Sequence, residues 1–156
     1  NYKAVTPTKA LAMTDVAKKR PEFRNINIFS DVRTYRLPLA GVVSILHRVS
    51  GMLLFLLLPF IIWLFDKSVS SEISFGKFSA AFAAGLWIFP AWFVKLVVLA
   101  LIWAYLHHLF AGARHLWLDV DHHAITKENG RRSAVVVLVA SIGLTLVLGA
   151  KLFGLY

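Results

Sequence analysis

The sequence predicts an all-α integral membrane bundle of three transmembrane helices, preceded by an amino-terminal arm on the cytoplasmic side. Three observations predict it. Hydrophobic residues make up 58% of the chain and the mean hydropathy is +0.69, too apolar for a soluble domain of this length. Three runs approach or exceed the roughly 20 apolar residues that a hydrocarbon crossing needs. The basic residues behind the net charge of +9 cluster outside those runs, as the orienting charges of a membrane protein do, which sets aside a nucleic-acid partner. Two regions follow: residues 1–38 as a cytoplasmic or interfacial arm, and residues 39–156 as the transmembrane domain.

The arm shows no sustained helical or strand period and contains a basic turn, Lys18-Lys19-Arg20-Pro21. No charged, apolar and small-residue pattern of a cleaved secretory signal opens the chain, so targeting is expected to reside in the first spanning helix. Arg33, Tyr35 and Arg36 form a basic and aromatic border of the kind found at a bilayer interface, and Pro38 suits a first helical turn. The first span is predicted from Leu39 to Phe65, with a kink at Pro59 and an exit at Asp66 and Lys67. Phe78 to Phe89 is apolar but too short to cross alone, leaving it interfacial or an early part of the next helix.

The second span is predicted from Pro90 to Asp119, with Lys95 snorkelling outward and excess length that calls for tilt or protrusion. A polar loop follows, and the third span is predicted from Ser133 to Leu155. That last run shows no obvious chemistry; Gly143 and Gly149 are read as close helix packing. Lys and Arg are dense before span one and after span two and sparse between, which orients the amino terminus to the cytoplasm.

Two constellations carry chemistry. Ser44, His47, Arg48 and Gly51 fall at i, i+3, i+4 and i+7 on the first span; His108, Gly112, His115 and Asp119 fall at i, i+4, i+7 and i+11 on the second. Arg48 is ten residues past Pro38 and His108 eleven before Asp119, so each lies roughly 15 Å inside its boundary at 1.5 Å per residue. Two antiparallel helices therefore bring an Arg, several His and a Ser to one level, where intramembrane ionisable groups are functional by default. A b-type haem would use them all: imidazole for iron, glycines for close approach of the macrocycle, cations for propionates. A second axial imidazole is needed, from His47 or from a partner subunit. With no cysteine, thiolate metal sites, cysteine-ligated iron–sulfur clusters and thioether-linked haem are excluded from this chain.

Each residue also has a plainer reading. His107 points off the stripe, toward packing or a partner. His122 and His123, beside Asp121, are read as solvated loop residues rather than metal ligands. Arg114, near the exit, could snorkel, and Ser44 could bond back to its own helix. The five Trp residues mostly mark span ends.

The segment Ser44-Ile45-Leu46-His47-Arg48-Val49-Ser50-Gly51, with His108-x-x-x-Gly112-x-Arg114-His115-Leu116-x-x-Asp119, resembles the cytochrome b membrane-anchor subunit of succinate dehydrogenase, respiratory complex II. Arg20-Pro21-Glu22 resembles that family's amino-terminal Arg-Pro element. The resemblance implies that His108 is the axial ligand of haem b on this chain, the second axial histidine coming from a smaller anchor subunit. It further implies that His47 is a propionate or supporting group, that Arg114 and His115 support propionates, that Arg48 lies between haem and quinone, and that Ser44 and Arg48 hydrogen-bond ubiquinone. Partners would be the second anchor, an iron–sulfur subunit and a flavoprotein, so the chain would not catalyse alone. A bacterial inner membrane is expected in preference to a mitochondrial one. The alternatives are a menaquinol-using fumarate reductase anchor and, from another class, a transporter with an Arg/His proton relay.

Overall fold

The computed structural model describes residues 37–121 and 125–155. Expectations placed on the arm, including the basic turn, Arg20-Pro21-Glu22, Arg33, Tyr35 and Arg36, and those placed on His122 and His123, lie outside the described residues. The described residues form five helices and no strand.

The first column is α1, Leu39–Leu56, followed by α2, Leu58–Val69. Pro38 caps α1 from outside the first turn: its carbonyl accepts from Gly41 N–H (2.8 Å) and Val42 N–H (3.1 Å). The expected kink takes the form of an interruption at Leu57, two residues before Pro59, which has no N–H to donate back to the preceding turn. Beyond it, Asp66 accepts from Lys67 Nζ (2.6 Å) and Ser70 Oγ (2.8 Å), bonds that hold its carboxyl below the usual range.

The segment left ambiguous by its sequence is a separate helix, α3, Glu72–Ala83, not an early turn of the next span. Ser71 and Ser74 cap it reciprocally, each backbone N–H bonding the other's hydroxyl (2.9 and 3.1 Å), and Glu72 suits the positive end of its dipole. It packs on α2 and on the next helix.

Helix α4, Ala91–Val120, is 30 residues long, about 45 Å at 1.5 Å per residue, and must tilt or protrude. Helix α5, Lys127–Leu152, begins six residues before the predicted start. Thr126 caps it by accepting from Asn129 N–H at 3.2 Å, and the Glu128–Arg132 ion pair (2.6 Å) sits on an exposed extension. A hydropathy reading misses such an extension because its residues are polar; the Thr126 cap and the Glu128–Arg132 pair support the helix there despite Asn129 and Gly130.

Helices α1, α4 and α5 pack mutually and are the three elements long and apolar enough to cross a membrane. Their packing inverts the soluble pattern. The interior uses small or polar side chains, Val43, Ser50, Ala111, Ala134 and Ser141, while Phe55, Leu116 and Val139 face outward. Lipid is as apolar as leucine, so close backbone approach and interhelical hydrogen bonds hold the bundle instead. Gly149 leaves room for a neighbouring side chain, since a Cβ there would stand 2.6 Å from Leu99 Cδ1. Gly143 does not: among the described residues nothing lies within 4 Å of its Cβ position, so the packing role expected for it is not seen within this chain. Lys95 Nζ lies 5.7 Å from the centre of the Phe153 ring, a cation–π contact at the end of its snorkel.

Candidate functional site

Helices α1 and α4 cross where each places a histidine over the other's glycine. The space a Cβ would need at Gly51 is filled by the His108 ring, with Cε1 at 2.9 Å and Nδ1 at 3.2 Å, and at Gly112 it lies 3.5 Å from His47 Nε2. The two imidazoles consequently stack, centroids 4.2 Å apart and planes 15° from parallel, and His115 joins at 5.2 Å from His47 with a 52° tilt. The equal depth expected for the two stripes is realised as direct contact. The two glycines here serve the histidines of the opposite helix.

Hydrogen bonding fixes the chemistry of His108. Its Nδ1 is 3.2 Å from the His47 carbonyl and 3.4 Å from Ser50 Oγ. Ser50 donates its own proton to the same carbonyl at 2.8 Å, so both oxygens can only accept from the ring. An Nδ1–H satisfies both contacts, and in that tautomer the lone pair is on Nε2. A backbone carbonyl on one ring nitrogen is the usual arrangement that orients the other toward a metal. Among the described residues no group of three or more His, Cys, Asp or Glu is placed to enclose a metal ion. The chain thus presents an oriented imidazole, not a closed cage. His47 Nε2 is buried without a hydrogen-bond partner among the described residues, a polar atom left available beside it.

The expected face divides. His47 and Gly51 meet α4, whereas Arg48 is exposed and Ser44 half-buried, and neither Ser44 nor Arg48 makes a hydrogen bond among the described residues. The back-bond to its own helix that Ser44 could have made is absent among them. Arg114 is not brought to the histidines. It shares a second stripe with His107, is 9% exposed, and donates from Nε to Ser133 Oγ (2.9 Å) and from Nη2 to the Gly130 carbonyl (3.4 Å) of α5. It also lines a cavity of about 710 Å³ with Pro38, Leu39, Lys127 and Arg131, apart from the histidine cluster. His107 is fully buried, its Nδ1 3.3 Å from Ser141 Oγ and its ring stacked on Trp103 at 5.4 Å. Of its two readings, packing holds. Trp103 accordingly departs from the interfacial belt, and Asp119 is exposed in the last turn of α4 without an ion pair among the described residues.

Sequence reasoning missed Ser50, Ser133 and Ser141. Their signal was available: each is a hydroxyl on a spanning helix, and Ser133 and Ser141 are two turns apart on the face that carries Ala134 and Val137.

Residues 18–148 match the family described as succinate dehydrogenase/fumarate reductase transmembrane subunit. The chain is similar to the succinate dehydrogenase cytochrome b556 subunit of Coxiella burnetii, 36% identical over 76% of this chain and 87% of that protein. The subunits of the same description from Paracoccus denitrificans and Rickettsia felis are 29% and 26% identical over 74% and 86% of the chain, and over 83% and 94% of their own lengths. These matches span both histidine helices, and the chain therefore belongs to the succinate dehydrogenase/fumarate reductase transmembrane subunit family, as a cytochrome b anchor of complex II.

Proposed function

We propose that this chain holds haem b together with a second small anchor subunit and helps form the site at which electrons from succinate reach ubiquinone. The observation that carries the reading is the seating of His108, with Nδ1 3.2 Å from the His47 carbonyl, which turns Nε2 to the ligating role. Haem b, when bound, supplies a one-electron centre beside the quinone. His108 would hold its iron, with a second histidine supplied by the partner anchor; the relatives' description as cytochrome b556 subunits supports the haem itself. His47, with its unpartnered Nε2, and His115 would donate at the propionate edge. Arg114, committed to α5, takes a propionate role from its place in the family motif alone.

Ser44 and Arg48, with no described protein partner, are the donors assigned to a quinone carbonyl. A quinone oxygen gains negative charge on reduction, and a preorganised hydroxyl and guanidinium stabilise that charge most where water is excluded. The flavoprotein and iron–sulfur subunits would carry succinate oxidation, since this chain has no cysteine to ligate a cluster. The amino terminus is assigned to the cytoplasmic side of a bacterial inner membrane from the loop charges. Family membership sets aside the proton-relay transporter.

The absorption spectrum of the purified complex tests this. The His108→Ala complex is expected to lose or strongly disturb its haem b bands while His123→Ala keeps them; equal retention in both would refute the ligand assignment. Ser44→Ala and Arg48→Ala should keep succinate oxidation with an artificial acceptor and lose quinone reduction by about a hundredfold, the scale of removing a preorganised donor. Normal quinone reduction in both would remove the quinone role.

A further inference from the structure

We propose that the turn joining α3 to α4 is a lipid-inserted finger, with Trp87 and Ile88 held in the bilayer interface opposite the amino-terminal end of α1. The occupant is phospholipid, not water and not a protein partner. The inference is independent of the haem and quinone assignments.

The turn is built rather than slack. Leu86 and Phe89 exchange both backbone N–H···O bonds, each at 2.9 Å, closing a four-residue loop. Gly85 has φ +100°, and a Cβ there would collide with the Phe89 carbonyl oxygen. Trp87 itself has φ 53°, a left-handed conformation unfavourable for a bulky aromatic residue. A backbone that accepts this conformation displays two large apolar side chains outward: Trp87 is 99% exposed and Ile88 86% exposed. In water that display would expose apolar surface with no compensating contact.

The depth of the turn identifies what covers it. Leu86 and Phe89 line one apolar cavity with Leu57, Phe60, Phe93 and Val97, so the turn sits beside the joint of α1 and α2. Helix α1 is 18 residues, about 27 Å at 1.5 Å per residue. The hydrocarbon core is about 30 Å thick, so a crossing that starts at Leu39 is nearly complete at the joint, and the turn beside it lies toward the far boundary, before the charged exit at Asp66 and Lys67. Charge agrees with depth. No residue from 78 to 94 is charged, whereas Asp66, Lys67, Glu72 and Lys77 gather at and beyond the end of α2. An indole with an apolar body and one N–H donor suits this boundary, and an adjacent isoleucine adds area on the hydrocarbon side.

The test uses the whole complex in phosphatidylcholine vesicles, with an NBD fluorophore on Ile88→Cys, on Trp87→Cys and, as a water-exposed reference, on Glu72→Cys. This chain has no cysteine of its own, and the unsubstituted complex labelled in parallel gives the background from partner subunits. The expected result is blue-shifted emission at 87 and 88, several-fold weaker quenching by aqueous iodide than at 72, and strong quenching by lipids carrying a shallow nitroxide. Iodide quenching at 88 equal to that at 72 would place the finger in water and overturn the proposal. Protection at 88 from both iodide and nitroxide lipid would mean a protein covers it, and would equally overturn it.

Discussion

A single added methyl group at Gly51 tests the seat on which the two histidine helices meet. The Cβ of Gly51→Ala would stand 2.9 Å from His108 Cε1 and 3.2 Å from Nδ1. Non-bonded carbons rest at about 3.5–4.0 Å, so at least about 0.6 Å must be found. The ring cannot simply rotate away, because His47 stacks against it at 4.2 Å and its Nδ1 is bonded to a backbone carbonyl. Taken up along that 3.2 Å bond, the shift lengthens it to about 3.8 Å, beyond hydrogen-bonding reach. Overpacking costs about 1–3 kcal/mol and the lost bond about 1 kcal/mol more. The expected outcome is a complex that loses its haem b absorbance at a lower temperature, by roughly 2–4 °C for each kcal/mol in a chain of this size. Gly76→Ala is the control, since nothing lies within 4 Å of that position, and alanine there should be neutral or gain up to about 1 kcal/mol. If Gly51→Ala releases haem at the same temperature as Gly76→Ala, the reciprocal seating of His108 on Gly51 is refuted.

Two further outcomes follow from the packing of α5. Ser141→Ala removes the hydroxyl 3.3 Å from the fully buried His107 Nδ1 and should cost about 1–3 kcal/mol in thermal stability of the complex. Adding His107→Phe should then cost less than the sum of the single changes; strict additivity would show that the two side chains do not interact. Gly149→Ala, whose Cβ meets the flexible end of Leu99 at 2.6 Å, should lower stability by up to about 1 kcal/mol as that side chain turns aside, while Gly143→Ala, into open space, should not lower it. Equal effects of the two alanines on the melting midpoint would contradict the α4–α5 packing described above.

Much of this molecule was legible in its sequence because bilayer thickness and helical rise are fixed lengths. They located the three crossings, and they set the Arg48 and His108 stripes at one depth, where His47, the neighbour of Arg48, meets His108. Helical periodicity put His108, Gly112 and His115 on one stripe, now seen against His47. Boundaries were less legible where polar residues are helical, as at the start of α5, and where an apolar segment is too short to cross, as in α3.

Rotation of each helix about its own axis was decided only by tertiary structure. In a soluble helix the apolar stripe names the buried face, but here lipid and bundle interior are equally apolar, so hydrophobicity carries almost no information about which side faces in. Periodicity separated the adjacent histidines, but only the structure named their neighbours: His107 is buried on Ser141, and His108 is presented beside His47. For the same reason Arg48 turns outward while His47 turns in, and Arg114 is bonded to α5 instead of joining the histidines. What fixed those rotations was the pairing of each large ring with a glycine across the helix contact, a match of shapes between residues more than 50 positions apart.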